Sequence, residues 1–495
     1  MVRKLKILMG ILIGVVSFFV MTVNSHSFDF TTPVGEINLT GKIYTQGTWR
    51  TEDSKGYTFP ETKAGDLIQH RNLLQVEVKD KFSDYLSIFG SFRLTYDGVS
   101  DYGAHRFREF DLGDVIGTFR EYYLNLNYGP VFLRLGRQNL SWGEADLFRL
   151  LDGINPLDNT FGLFFEDLDE RRIPIDMARL VIDLGKIGPI HSLTCEGFLA
   201  SGEKQGPLTS PGSPYAAPSP PSPLPIHAET THLNDFRGGA RILGLVGGVN
   251  WSLGHYWSYP DSPVPIFKYD QPGDALSTFL NLSSKRQQTT GGTFTFFTGI
   301  SATQTVVRGE LAYVWDEGVF IPSKSLPVGS GTIYIPGLGF IDPGIPVPLP
   351  GKIPEVGDFK WVIGLDNNIW IRPLNRKNTF FVSVQAYGRH IVKNWSDEIR
   401  TPINKFPTGD FAKPHKNEYQ FTAVINTYLL NGDLVPEIAV AYDPRGALLV
   451  MPTIKYRWKN WEAMLKYSVV SGNFVNIGFF RDRDQVSFRI SHYFK

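Results

Sequence analysis

The chain has little of what most structural or catalytic readings require. Its 495 residues include one cysteine, Cys195, so no disulfide can form within it. That cysteine lies far from any N-terminal processing site, which excludes the lipid-carrying cysteine of a lipoprotein. Charge is not in excess either: Lys+Arg and Asp+Glu each number 49, and no nucleic-acid partner is expected without a basic footprint. Beyond residue 23 no apolar run reaches the roughly 18 residues of a membrane helix. The ten histidines are scattered, and only His227 and His232 are close. No His-x-x-x-His pair, Gly-x-Ser-x-Gly elbow, phosphate loop or Cys/His metal spacing occurs. Neither enzyme, cofactor nor metal site is therefore expected. A barrel hydrolase whose Ser, His and acid meet only in space would escape such a search, and it stays open as the least favoured alternative.

The one long apolar run is at the start. Arg3, Lys4 and Lys6 precede Ile7–Val23, and small or polar residues follow near Ser25 and Ser27, the anatomy of a secretory signal peptide. Residues 1–27 are expected to be removed, against the alternative of a retained anchor. Loss of the three cations leaves 46 basic against 49 acidic side chains, a net of −3.

Apolar residues make up 42%, aromatics 14%, with 49 Gly and 33 Pro, which suits turn-rich β structure better than a helical membrane bundle. Alternation supplies the strands. Ile37, Leu39, Ile43 and Trp49 interleave with Asn38, Thr40, Lys42, Gln46 and Thr48. Leu86, Ile88, Phe92, Leu94 and Tyr96 interleave with Ser87, Ser91, Arg93 and Thr95. A period of two places lipid-facing and lumen-facing side chains on opposite faces of a pleated strand. Similar runs recur to the C-terminus.

The connections are more informative than any one strand. Long polar segments at about 51–65, 98–115, 140–175, 201–234, 258–285, 316–356, 393–414 and 472–483 separate strand pairs. Each pair closes through a tight turn such as Gly129–Pro130 or Lys459–Asn460. Short periplasmic turns alternating with long extracellular loops are the mark of an up-and-down barrel. A secreted β-sandwich or β-helix would have no reason to alternate in this way. The tally is about eighteen strands, or sixteen if the short Tyr442–Gly446 connection is misplaced. Trp458 and Trp461 flank one short turn and Trp370 sits beside Arg372, as in an aromatic girdle. The last strand, with Val486, Phe488, Ile490, His492 and Phe494 before Lys495, resembles the C-terminal signal read by the outer-membrane assembly machinery. The expected fold is thus all-β: a transmembrane antiparallel barrel over residues 28–495, set in outer-membrane lipid of a Gram-negative cell.

Two loops are compositionally biased. Gly206–Pro225 is rich in Pro, Ser and Gly and reads as a mobile surface loop. The 316–356 segment spreads Ile333, Leu338, Phe340, Ile341, Ile345 and Val347 among prolines, so it is expected to fold over the barrel mouth.

The densest run of unusual residues is Gly136-Arg137-Gln138, Ser141-Trp142-Gly143-Glu144 and Ile154-Asn155-Pro156-Leu157-Asp158, then Glu166, Asp167, Asp169, Glu170, Arg171 and Arg172. These residues resemble the signature of an uncharacterised proteobacterial outer-membrane family, the domain-of-unknown-function 1302 family, most specifically over Leu133–Leu184. That resemblance implies a porin-like barrel encoded beside RND-type exporters, with such an exporter as a partner and envelope transport of hydrophobic compounds as the context.

A barrel this wide leaves an open channel unless something narrows it. The 140–175 loop is expected to do so, folded inward or as a lid, with Arg137, Trp142, Glu144, Asp146, Asn155 and Asp158 at the constriction or in contact with ligand. Strand parity places Arg93, Glu121, Arg134, Arg179, Arg308, Glu310, Lys455, Arg457 and Arg489 on the lumen wall. Opposed charges there would set a transverse field that orients polar solutes; the alternative is that they pair and only satisfy a buried interior. The leading expectation is a channel passing a solute, hydrophobic or amphipathic in view of the 316–356 loop. Its rival is a plugged, partner-binding barrel, the outer-membrane component of an exporter or an electron conduit.

Overall fold

A computed structural model describes residues 28–32, 35–54, 62–97, 99, 119–201, 206, 215, 224–229, 235–299, 304–400 and 414–494. The expected signal segment lies outside these residues, as do most of the loops near 98–118, 202–234 and 401–413.

Eighteen antiparallel strands form one closed sheet. In chain order they are β1 (Gly35–Arg50), β2 (Leu67–Lys81), β3 (Leu86–Asp97), β4 (Phe119–Tyr128), β5 (Val131–Gln138) and β6 (Ile175–Ile187). Next come β7 (Ile190–Ala200), β8 (Arg237–Val246), β9 (Val249–Ser258), β10 (Gln287–Phe297), β11 (Val306–Gly318) and β12 (Glu355–Ile369). The circuit ends with β13 (Phe380–Lys393), β14 (Asn417–Thr427), β15 (Leu434–Asp443), β16 (Ala447–Trp458), β17 (Trp461–Gly472) and β18 (Gln485–Phe494). Each strand pairs with its sequence neighbour, and β18 pairs with β1 from Gly41↔Phe494 to Arg50↔Gln485. Closure removes every free edge, so no backbone N–H row faces hydrocarbon. The short 444–446 connection is a real long-side hairpin, so the count is eighteen and not sixteen.

Alternation does what the sequence pattern requires. On β11, Leu311 and Trp315 are about half exposed on the outside, whereas Glu310 and Ala312, of the opposite parity, are fully buried inside. Trp458 and Trp461 stack across their turn with ring planes 9° apart, at the short-turn end.

At the seam, a short strand Phe28–Thr32 pairs with β1 over Gly35–Leu39, just past the point where β18 stops at Phe494. The Phe494 ring lies on Gly41, where any Cβ would overlap that ring and the carbonyl oxygen of Gln75. Gly41→Val is therefore expected to block seam closure: the heat-modifiable folded band on gels should fall by about tenfold, consistent with an overpacking cost of roughly 1–3 kcal/mol on a marginal step. A variant that folds to the wild-type level would show that Phe494 can dock elsewhere.

The loops at the long end are partly ordered on one another. Val264, Ile266 and Phe320 form a small core with Leu326 and Ile353, so the base of the 319–354 loop does pack over the mouth. Its tip does not: Leu338 and Ile345 remain well exposed. Within the Pro-rich tract, Tyr215 is buried against Phe165; residues 207–214 and 216–223, on which the mobile-loop expectation falls, lie outside the described residues.

Candidate functional site

Residues 139–174 leave β5 and return in β6, its neighbour, so the loop's two stalks stand side by side. Asn155, fully buried, ties them. Its Oδ1 accepts from the Leu140 N–H at 2.9 Å, and its Nδ2 donates to the carbonyls of Gln138 at 3.2 Å and Ile173 at 2.9 Å. Just beyond, Leu157 and Arg172 form an isolated antiparallel bridge. This neck divides the loop into a first lobe, residues 139–156, and a second, residues 158–171.

The first lobe is held by an apolar cluster and one carboxylate. Trp142 packs edge-on against Phe198 of β7 and Tyr256 of β9, with the Arg241 guanidinium 5.0 Å from its ring. Leu140, Leu150, Leu151 and Ile154 complete the cluster, each contributing on the order of 1.5–3 kcal/mol through burial. Phe148 stacks on Tyr387 of β13 at 4.6 Å. The Glu310 carboxylate accepts the backbone N–H groups of Glu144, Ala145 (2.6 Å) and Leu151 (3.2 Å). Asp146 meets Arg308, with one contact at 2.9 Å, and accepts from Gln385 at 3.0 Å.

The second lobe crosses to the other side of the lumen. Phe165 is buried with Leu449, Val470 and Ala441, with Phe164 and Phe480 alongside. Glu166 accepts from Gln46 at 2.7 Å and pairs with Arg489 at 2.7 Å and Arg71 at 3.7 Å. Glu170 pairs with Arg93 at 2.7 Å and with Lys42. Arg120, at the bulge between β3 and β4, donates to the carbonyls of Asp169, Glu170 and Arg172.

Burial alone would raise the Glu166 carboxyl, but Lys466, Arg489 and Arg71 outweigh it and hold the group at about 2. An unfolded glutamate titrates near roughly 4.3, so the depressed folded value stabilises docking in full above that pH and is lost as pH falls toward 2. If the barrel conducts, open-channel noise from the second lobe is expected to stay level from neutrality down to about pH 5 and to rise only below about pH 4. Noise that grows between pH 7 and 5 would contradict the ion-pair anchor.

The six residues expected at the constriction thus separate. Glu144 and Asp146 lie in the lumen with substantial exposure. Trp142 and Asn155 are buried and anchor the loop. The Asp158 carboxylate is occupied locally, accepting from the Thr160 N–H at 2.9 Å. Arg137 is a correction: it shares the face of Leu133 and Leu135, so it points outward, opposite Tyr122 and 3.7 Å from Asp176. The glycine beside it has a backbone reason. Gly136 has φ +127°, and a Cβ there would collide with the Tyr122 carbonyl.

The wall residues face the lumen, and most are paired. Besides Arg93, Arg308 and Arg489, Arg179 meets Glu196 at 2.6 Å, and Arg457 meets Glu462 at 2.8 Å. Glu121 accepts from Asn139 at 2.6 Å, and Arg134 lies 4.0 Å from the Tyr123 ring. Lys455 shares the inward face of β16 with Arg457, since Ile454, Tyr456 and Trp458 point outward.

Sequence reasoning missed a second charged belt at the long-loop end. Lys360 pairs with Glu317 at 2.8 Å; Arg389 contacts Asp358, Glu317 at 3.5 Å and Glu418 at 3.6 Å; Arg445 bridges Glu418 at 2.5 Å and Asp443 at 2.6 Å. Parity along β12 and β13 could have found it. The belt lines a cavity of about 380 Å³, together with Arg149, Tyr256 and Tyr259.

The two lobes leave one strand alone: among the described residues, no hydrogen bond, ion pair or ring contact joins the loop to β14.

The barrel resembles solved porins at low identity. OccK9 (OpdG) of Pseudomonas aeruginosa has TM-score 0.48 and 10% identity, over 92% of this chain and 98% of that one. A BenF-like porin from Pseudomonas fluorescens Pf-5 has TM-score 0.46 and 10% identity, over 93% and 99%. OmpF of Salmonella typhi, in complex with daunomycin, has TM-score 0.40 and 9% identity, over 94% and 100%. At these values the likeness says nothing about what this chain transports. No curated protein matches it in sequence. The family model described as Protein of unknown function (DUF1302) matches residues 8–494, and the chain belongs to that family.

Proposed function

We propose that the protein is an outer-membrane channel whose lumen is narrowed, and not sealed, by the 139–174 loop, and that it passes a small amphipathic solute. The observation that carries this reading is the asymmetric docking of the loop. Its lobes hold the wall at β7–β13 on one side and at β15–β18 and β1–β4 on the other, and they leave the inward face of β14 beside a polar cavity. Apolar rings and charges share that cavity, Tyr256, Tyr259 and Phe320 with Arg389 and Glu418, which suits a solute with both characters. The test is single-channel conductance of the refolded chain in a planar bilayer, with heat-modifiable gel mobility as the folding control. Discrete steps are expected. A folded barrel without conductance would replace this reading with a plugged, partner-binding barrel.

A further inference from the structure

Below the loop, toward the short-turn end, one stretch of inner wall carries aromatic rings, although a polar lumen does not require them. Lys79 of β2 lies opposite Phe89 of β3, and Phe89 lies opposite Tyr123 of β4. Phe132 and Arg134 of β5 follow, and Arg134 lies opposite Arg179 of β6. These side chains face inward, because Val78, Ile88, Tyr122, Leu135 and Leu180, of the opposite parity, are exposed on the lipid face. Arg93 and Arg120, which hold the second lobe, lie on the same β3 and β4 but nearer the long-loop end. Phe89 and Tyr123 stack with centroids 5.0 Å apart. The Arg134 guanidinium lies 4.0 Å from the Tyr123 ring and 5.5 Å from the Phe132 ring. Phe89, Tyr123, Phe132 and Arg134 are each only partly buried.

Glu77, Glu121, Asp183 and Glu196 stand among the cations of this shelf, so its charge is close to balanced and sets no field. What differs is which groups are already satisfied. Glu77 accepts from Gln75, Glu121 from Asn139 at 2.6 Å, Asp183 from the Gly185 N–H at 2.9 Å, and Glu196 from Arg179 and Arg241. Arg134 donates through Nε to Asn125 at 2.7 Å; among the described residues its two terminal nitrogens have no acceptor. A guanidinium presents its N–H groups in a fork that matches a carboxylate, and the adjacent rings offer a flat aromatic group a face to stack on.

Resting on the channel reading, we infer that this shelf is a binding site for flat aromatic solutes that carry a carboxylate, with the acid group on Arg134 and the ring against Phe132 and Tyr123. Its place below the constriction puts it on the route of a solute crossing in either direction.

The test uses the full chain, folded in detergent and titrated by saturation-transfer NMR, which reads weak binding whether or not the barrel conducts. Benzoate is expected to bind about fivefold more tightly than two relatives. Cyclohexanecarboxylate keeps the charge and loses the flat face; benzylammonium keeps the ring and reverses the charge. Arg134→Gln should weaken benzoate binding about tenfold, and Arg134→Lys, which keeps the charge without the fork, about threefold. Lys455→Gln, inward on β16, should leave it unchanged. Heat-modifiable gel mobility reports the folding of each variant. If the unaltered chain binds benzoate no better than either relative, the inference is overturned. A folded Arg134→Gln barrel that binds benzoate as before overturns it too, and neither result touches a channel that shows conductance steps. A folded barrel that is silent yet binds benzoate with these preferences loses the channel reading and keeps the site.

Discussion

Excising residues 158–171, with Leu157 joined to Arg172 through two glycines, is expected to raise single-channel conductance by about threefold, because loop obstruction sets the cross-section of a wide barrel. The junction is already made in the native fold: Leu157 and Arg172 are bridged, and the Ile173 N–H donates to the Pro156 carbonyl at 2.9 Å. The first lobe keeps its own anchors, since Trp142, Leu151 and Asn155 pack below the neck. The excision removes Phe165 from the cluster with Leu449 and Val470 and strips Glu166 and Glu170 from the wall. Barrel assembly should persist, because the ladder from β18 to β1 does not involve the loop. Unchanged conductance in a folded variant would mean that the narrowest point lies elsewhere.

Glu310→Ala should release the first lobe. Glu310 is completely buried, and its carboxylate is the acceptor for three backbone N–H groups at the loop's turn. Truncation leaves those donors without the acceptor, in a site built around it. Charge-assisted bonds contribute roughly 1.5–3 kcal/mol each and are not additive, so a loss of about 3–4 kcal/mol of docking free energy is expected. Glu310→Gln keeps the shape and one acceptor oxygen and should lose about half as much. The readouts are open-channel noise, which should increase several-fold in the alanine variant, and the temperature at which the folded gel band disappears. If alanine and glutamine behave alike and both stay quiet, the lobe is held by Trp142 and its neighbours alone.

Much of the architecture was legible because a membrane strand obeys a strict period. One face of each strand meets lipid and the other meets lumen, so Leu311 and Trp315 alternate with Glu310 and Ala312 whatever the rest of the chain does. Arg93, Arg308 and Arg489 could be placed inside by parity alone. The same parity applied one residue further would have set Arg137 outside with Leu133 and Leu135; it was misplaced because a motif outweighed the alternation. In Gly136-Arg137-Gln138 the glycine is required by φ +127° and the glutamine points inward, donating to the Met177 carbonyl at 3.0 Å, so the run is largely structural.

The loop could not be resolved in this way, because a loop has no period. Asn155 joins backbone groups 15 to 18 residues away, and Glu166 meets Arg489 across 323 residues of sequence. Alternation in the sequence was therefore enough for the barrel, its alternating connections and the side of the wall on which most charges stand; Glu317, of the same parity as Leu311 and Trp315, is turned inward by a bulge after Val314. Tertiary structure alone decided which charges the loop covers, and that Trp142 and Asn155 anchor while Glu144 and Asp146 face the lumen. The physical reason is that alternation is a local consequence of the pleat, whereas closing eighteen strands around a loop brings side chains together by position on a circle.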